Sequence, residues 1–230
     1  MGKEFEIKRE VVLPATPEQV FAAATSGTAN WMFPTPAPSP EDPTVKVWEP
    51  PYHVAYRQEG EDGWFNALEY VIEAREGGTT TLRYVHSGVF TDDWDTQYDG
   101  ASKHTDFYHH TLAQYLRYFA GRNAAFVQTS GPAASSTPDG LEKVKRALGV
   151  SHEGQTVRLE VPGLDSADAV VDYLNPYFVG LRTEDALHRV FGRNHFGATV
   201  DTTHHLFGRN VDQDKAGLAW QNWLNGVFAE

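Results

Sequence analysis

The sequence predicts an α+β chain built from two tandem copies of one folding unit. Three observations carry this. A strand of period two runs straight into a well-capped short helix near the N-terminus. Turn-bounded strands then lead to a long helix that ends near residue 121. The second half repeats short stretches of the first in the same order.

Phe5, Ile7, Val11 and Leu13 alternate with Glu6, Lys8 and Glu10, the pattern of a half-buried strand closed by Pro14. Thr16 is a suitable N-cap, Pro17 suits the first helical position, and Gln19 completes a capping box. Val20, Phe21 and Ala24 share one face of this helix. It breaks at Ser26-Gly27, and a second short turn runs to Trp31. The stretch "FPTPAPSPEDPT" (33–44) holds five prolines and is irregular. Strands follow at Val45–Trp48, His53–Glu59, Trp64–Ala74 and Thr79–Phe90, separated by glycine turns. "TDDWDTQYDG" (91–100) reads as an acidic loop. A long helix follows over Lys103–Ala120, with Tyr108, Leu112, Tyr115 and Phe119 as its apolar seam and Gly121 as its stop.

After residue 122 the same grammar returns. Phe126–Thr129 is a strand, "TSGPAASSTPDG" (129–140) a turn-rich connection, and Leu141–Leu148 a short helix. Strands are expected at Thr156–Val161, Ala169–Tyr173, Tyr177–Arg182, Ala186–Phe191 and Ala198–Phe207. A final helix spans about Asp214–Phe228, with Trp220, Trp223, Leu224 and Val227 on its seam. "PYHVAYRQE" (51–59) matches "PYFVGLRTE" (176–184) at five of nine positions, offset by 125. "TLRYVH" (81–86) lines up with "TVDTTH" (199–204), offset by 118, and "YLRYFA" (115–120) with "WLNGVFA" (223–229). Shared order on shared elements points to a tandem duplication, with a first domain over 1–122 and a shorter, divergent one over 123–230.

Composition narrows the function. The 230 residues are 40% hydrophobic and 22% charged, as in globular domains. Acidic residues outnumber Lys plus Arg by 31 to 19, and a net charge of −12 disfavours nucleic acid and anionic membranes as partners. The absence of cysteine excludes disulfides, thiolate metal sites and cysteine nucleophiles, and a cytoplasmic location is the simplest expectation. No apolar run approaches the roughly 18 residues of a membrane-spanning helix.

The order of elements, with "ATPEQVFAAAT" (15–25), Trp31, "VWEPPYHVAY" (47–56), "GGTTTLRYVHSGV" (77–89) and the helix around Phe107–Phe119, resembles the helix-grip superfamily of START domains, polyketide cyclases and pollen-allergen-like proteins (SRPBCC). It is most similar to the branch that resembles the C-terminal domain of the activator of the heat-shock chaperone ATPase. His86-Ser87-Gly88 fits that branch. The usual Gly-Trp at the start of its last helix is replaced by Phe107-Tyr108, and the segment between Trp31 and Val45 is short by about one hairpin. The resemblance covers about residues 4–121 and reaches the second half only through the repeat. It implies a curved antiparallel sheet wrapped around each long C-terminal helix, with a cavity between them.

Strand parity then nominates lining residues. If Leu82 points inward, so do Tyr84 and His86; Tyr56 belongs to a similar row. Tyr108, Leu112 and Tyr115 face them from the helix, with Trp31 and Trp64 at the rim. Apolar walls with a few polar heads suit a hydrophobic or aromatic small molecule; a filled core accounts for the same residues. The second half, with shorter loops, is expected to be closed. His86, its repeat partner His204 and Tyr84 are the acid–base candidates, with a hydrogen-bonded structural histidine as the favoured reading of His86. Arg57 and Arg182 are expected to form outward ion pairs. No zinc spacing, calcium loop or nucleotide motif occurs, so neither metal nor cofactor is expected, and no catalysis is implied. A protein-interaction module, or a polyketide cyclase- or dehydratase-like enzyme, are the other readings.

Overall fold

The computed structural model describes residues 2–229, which divide into two compact units meeting at Gly121 and Arg122. In the first, β1 (Lys3–Leu13) leads to helix α1 (Pro17–Ala24) and a single turn over Thr28–Asn30. Strands β2 (Val45–Glu49), β3 (His53–Glu59), β4 (Phe65–Ala74) and β5 (Thr80–Phe90) precede the long helix α2 (Trp94–Tyr118). All pairings are antiparallel, in the order β1-β5-β4-β3-β2. The capping box forms as read: the Gln19 amide donates to Thr16 Oγ1, and Gln19 Oε1 accepts from the Thr16 amide at 3.0 Å. Trp31 is buried and donates from its indole to Ala23 O at 2.9 Å, which ties the turn to α1.

Helix α2 starts nine residues earlier than expected, so most of the supposed acidic loop is helical. Ring packing outweighs local charge there. Trp94 and Tyr98, four apart, stack at 4.8 Å, and the Trp94 indole donates to Glu4 O. The seam is also rotated slightly. Phe107 and Leu112 are fully buried, while Tyr108 is only half-buried, edge-on to Phe33. Helix α2 crosses the inner face of the sheet, where the Tyr84 ring meets His109 at 4.6 Å. At its flank Arg9 of β1 bonds Asp106 and Ser102.

The second unit has β6 (Ala125–Ser130), α3 (Gly140–Leu148), β7 (Thr156–Leu159), β8 (Ala167–Leu174), β9 (Phe178–Arg182), β10 (Ala186–Phe191), β11 (Asp201–Leu206) and α4 (Gln213–Val227). Its sheet runs β6-β11-β10-β9-β8-β7, again antiparallel throughout. The repeat offsets carry β3 onto β9 and β5 onto β11, and these strands hold the same places in the two sheets. Each half is therefore a helix-grip unit. The second, though shorter in sequence, has one strand more. Where it places β7, the first half places the irregular, proline-rich segment before β2, so the first half is short of the second by one strand rather than by the expected hairpin. Strand β11 (Asp201–Leu206) is shorter than expected: residues 198–200 are irregular and belong to the connection that follows the helical turn of residues 193–196. No described helix is long and apolar enough to cross a membrane.

Candidate functional site

A cleft of about 390 Å³ opens in the first unit between the inner face of its sheet, helix α1 and the proline-rich segment before β2. Its floor is the inner face of β3 and β4: Tyr56 and Gln58 on one, Asn66, Leu68 and Tyr70 on the other. The register pairs Tyr56 with Leu68 and Gln58 with Asn66, which fixes these side chains on one face. One wall is α1 and its following turn, through Ala24, Thr25, Thr28 and Met32. The opposite wall is Thr35 to Pro38, pinned to that turn by the Thr28 and Thr35 hydroxyls at 2.8 Å. Proline suits this wall, since it needs no partner for a backbone N–H.

Of the expected lining residues, Tyr56 borders this cleft. Trp31, Trp64, Leu82, Tyr84, His86, Tyr108, Leu112 and Tyr115 do not. Leu82 and Leu112 are fully buried in the core, and the Tyr115 hydroxyl accepts from Asn30 Nδ2 at 3.3 Å. Tyr84 is wedged between Tyr70 at 5.2 Å and His109 at 4.6 Å. Leu82, Tyr84, Leu112 and Tyr115 thus pack between sheet and long helix, and this cleft lies to one side of them, against α1. The walls that sequence reasoning missed are Met32 and the Thr35–Pro38 segment, which it treated as a connection. Asn66, Leu68 and Tyr70 could have been found by pairing β3 with β4 in register.

His86 stands one residue behind the cleft. Its Nε2 hydrogen-bonds Asn66 Oδ1 at 2.8 Å, and Asn66 is part of the floor. Burial pushes His86 down to about 4, so it is neutral at physiological pH. Burial raises the Tyr84 and Tyr70 hydroxyls, the latter strongly, which keeps both protonated. The Tyr56 hydroxyl is also raised by burial, is shut off from water, and has no hydrogen-bond partner in the chain. It is the one polar atom of the floor left in that state, a costly condition for a phenol. Arg57 points away from this face, as expected, stacking on Phe65 and donating to Glu59 at 2.9 Å.

The second unit, expected to be closed, has a cleft of about 350 Å³. It is bordered by β7, the start of β10, the loop after β11 and the first turns of α4. His204, the repeat partner of His86, is fully buried behind it and stacks on Trp220 at 3.9 Å.

No family model matches the chain, and no curated protein matches it in sequence. Solved structures do. The di-domain ARO/CYC BexL from the BE-7585A biosynthetic pathway is 12% identical, with 98% of this chain covering 99% of that one at a TM-score of 0.42. DynU16, from the dynemicin biosynthetic locus, is 16% identical over 97% of this chain and 95% of its own, at 0.40. The Aha1 dimer structure from Colwellia psychrerythraea is 17% identical over 49% of this chain and 96% of that one, at 0.39.

Proposed function

We propose that the first unit binds a hydrophobic or aromatic small molecule in the cleft between the β3–β4 floor and the α1–proline wall, without catalysing its conversion. The observation that carries this is the Tyr56 hydroxyl, dry and unpaired on the floor of a concave site where Met32, Leu68, Pro36 and Pro38 supply apolar surface between polar groups of Thr25, Thr28, Asp42, Gln58 and Asn66. A bound molecule with one acceptor oxygen satisfies that hydroxyl while its apolar body covers Leu68 and Met32. Its volume falls within the roughly 300–1,000 Å³ range of ligand sites. No group on the floor is set up to carry charge through a reaction: His86 is neutral and reaches the floor only by way of Asn66.

The test is fluorescence titration with Nile red, a neutral apolar dye, backed by mass spectrometry of solvent extracts from the purified protein. Leu68→Trp fills the cleft from its floor and is expected to weaken dye binding at least about tenfold with circular dichroism unchanged. Tyr56→Phe removes the stranded hydroxyl and is expected to leave the fold intact or firmer. Dye binding untouched by Leu68→Trp overturns the proposal.

A further inference from the structure

We infer that the cleft of the second unit is a separate site for a small, apolar, non-anionic molecule presenting one carbonyl or hydroxyl oxygen. Two side chains at its inner end make the case. Trp220, 3% exposed, borders the cleft, and its indole N–H is buried without a partner. His188 also borders it and spends Nδ1 on His204 Nδ1 at 2.9 Å, leaving Nε2 as the ring nitrogen for the cleft. The two rings lie 5.1 Å apart, close enough for one oxygen to meet both. An indole N–H is a donor only, so what satisfies it must be an acceptor.

Behind His188 runs a closed chain of hydrogen bonds. His204 Nε2 meets Thr202 Oγ1 at 2.8 Å, and Thr202 Oγ1 meets Thr129 Oγ1 at 2.7 Å. The register puts His188 opposite His204 and Thr202 opposite Thr129, so the chain is set by strand pairing. Burial holds both histidines neutral, His188 at about 3 and His204 well below the ordinary value. A neutral imidazole has one N–H and one bare nitrogen, which leaves two arrangements. If Thr202 donates to His204 Nε2, then His204 donates to His188 Nδ1, and His188 Nε2 carries the proton toward the cleft. If Thr202 donates to Thr129, every bond reverses and His188 Nε2 is bare. The site thus presents a donor to a ketone or an acceptor to a phenol, at no change in charge. Around the mouth stand Asp165, Asp185 and Asp212 against Lys215, a field that disfavours carboxylates and phosphates.

Three probes of one shape test this by NMR: naphthol, naphthalene and naphthoate, read on the indole N–H signals of the six tryptophans, with Trp220→Phe assigning its own. Naphthol is expected to shift the Trp220 signal. Naphthalene is expected to bind about tenfold more weakly, and naphthoate more weakly still. Acetophenone in place of naphthol is expected to switch His188 to the Nε2-protonated tautomer in nitrogen–proton correlation spectra. Val211→Trp, at the half-buried mouth, closes the cleft without altering its core and is expected to abolish the shift. Leu68→Trp in the first unit is expected to leave it unchanged, which separates this site from the first. Naphthalene or naphthoate binding as well as naphthol, or a Trp220 signal unmoved by millimolar naphthol, overturns the inference.

Discussion

Strand β5 of the first unit and β11 of the second hold the same place in their sheets, but their surroundings differ. On β5 the outward Arg83 is exposed and pairs in water with Glu10 and Glu73. On β11 every residue from Asp201 to His205 is buried, and on neighbouring β10 all six residues are. A sheet buried on both faces must satisfy its polar side chains internally. The second unit does so with Arg189, 1% exposed, which grips Asp172 through two nitrogens at 3.0–3.2 Å and also donates to Leu181 O and His188 O. The same topology therefore carries ordinary surface charge in one copy and enclosed charge in the other, and the two copies should respond very differently to similar substitutions.

The largest contrast is expected from Asp172→Ala against Glu10→Ala. The first strands a guanidinium away from water and is expected to destabilise the second unit by about 3–5 kcal/mol. The second breaks an exposed pair and is expected to change stability by less than about 1 kcal/mol. Denaturant unfolding followed by hydrogen exchange in each half measures both; equal effects break the comparison. Next comes Gly180→Ala. A methyl there would collide with the Asp172 carboxylate and approach Arg189 Nη1 at 2.8 Å, so a loss of about 1–3 kcal/mol is expected.

Acid should weaken both halves, the second over a wider range. Folded His86 and His109 titrate near 4 and His188 near 3, against 6.5 for a free histidine. Between those values the unfolded chain binds protons that the folded chain refuses. Stability is therefore full above about pH 6.5 and falls as pH drops toward 4 for the first half and toward 3 for the second. Denaturation midpoints from pH 7 to pH 4 check the direction, and His188→Gln is expected to flatten the dependence. The smallest contrast sets Thr16→Ala, which removes half of a capping box, against Asp139→Ala, at a helix start with no side-chain cap. The first is expected to cost about 1 kcal/mol and the second less than about 0.5 kcal/mol, by thermal denaturation.

Much of this architecture was legible because it rests on local rules. The Thr16-Pro17-Gln19 start of α1, the strand alternation of Phe5 to Leu13 and the Gly121 stop each follow from neighbouring residues, and each is found where those rules put it. The inward row of Leu82, Tyr84 and His86 followed from parity as well. What parity cannot supply is where neighbouring elements fail to meet. The empty space lies beside Tyr56, between β3–β4 and the Thr35–Pro38 segment, and no residue of the inward row records that. The start of α2 was hidden by Asp92, Asp93 and Asp95, whose turn-like composition masked the Trp94–Tyr98 stack. His188 was overlooked inside the unbroken run "ALHRVF", although pairing that strand with Asp201–Leu206 as a hairpin would have set it opposite His204.

The vacancy beside β2 leaves that strand as the border of its sheet, with backbone groups available to any extended chain that drifts against them. Its sequence guards this border. Register slips between Val45 and Val47, Lys46 projects into solvent, and Pro43, Pro50 and Pro51 bracket the strand with residues unable to donate to a further neighbour. The unit with one strand fewer thereby keeps its open flank from recruiting other molecules into fibres.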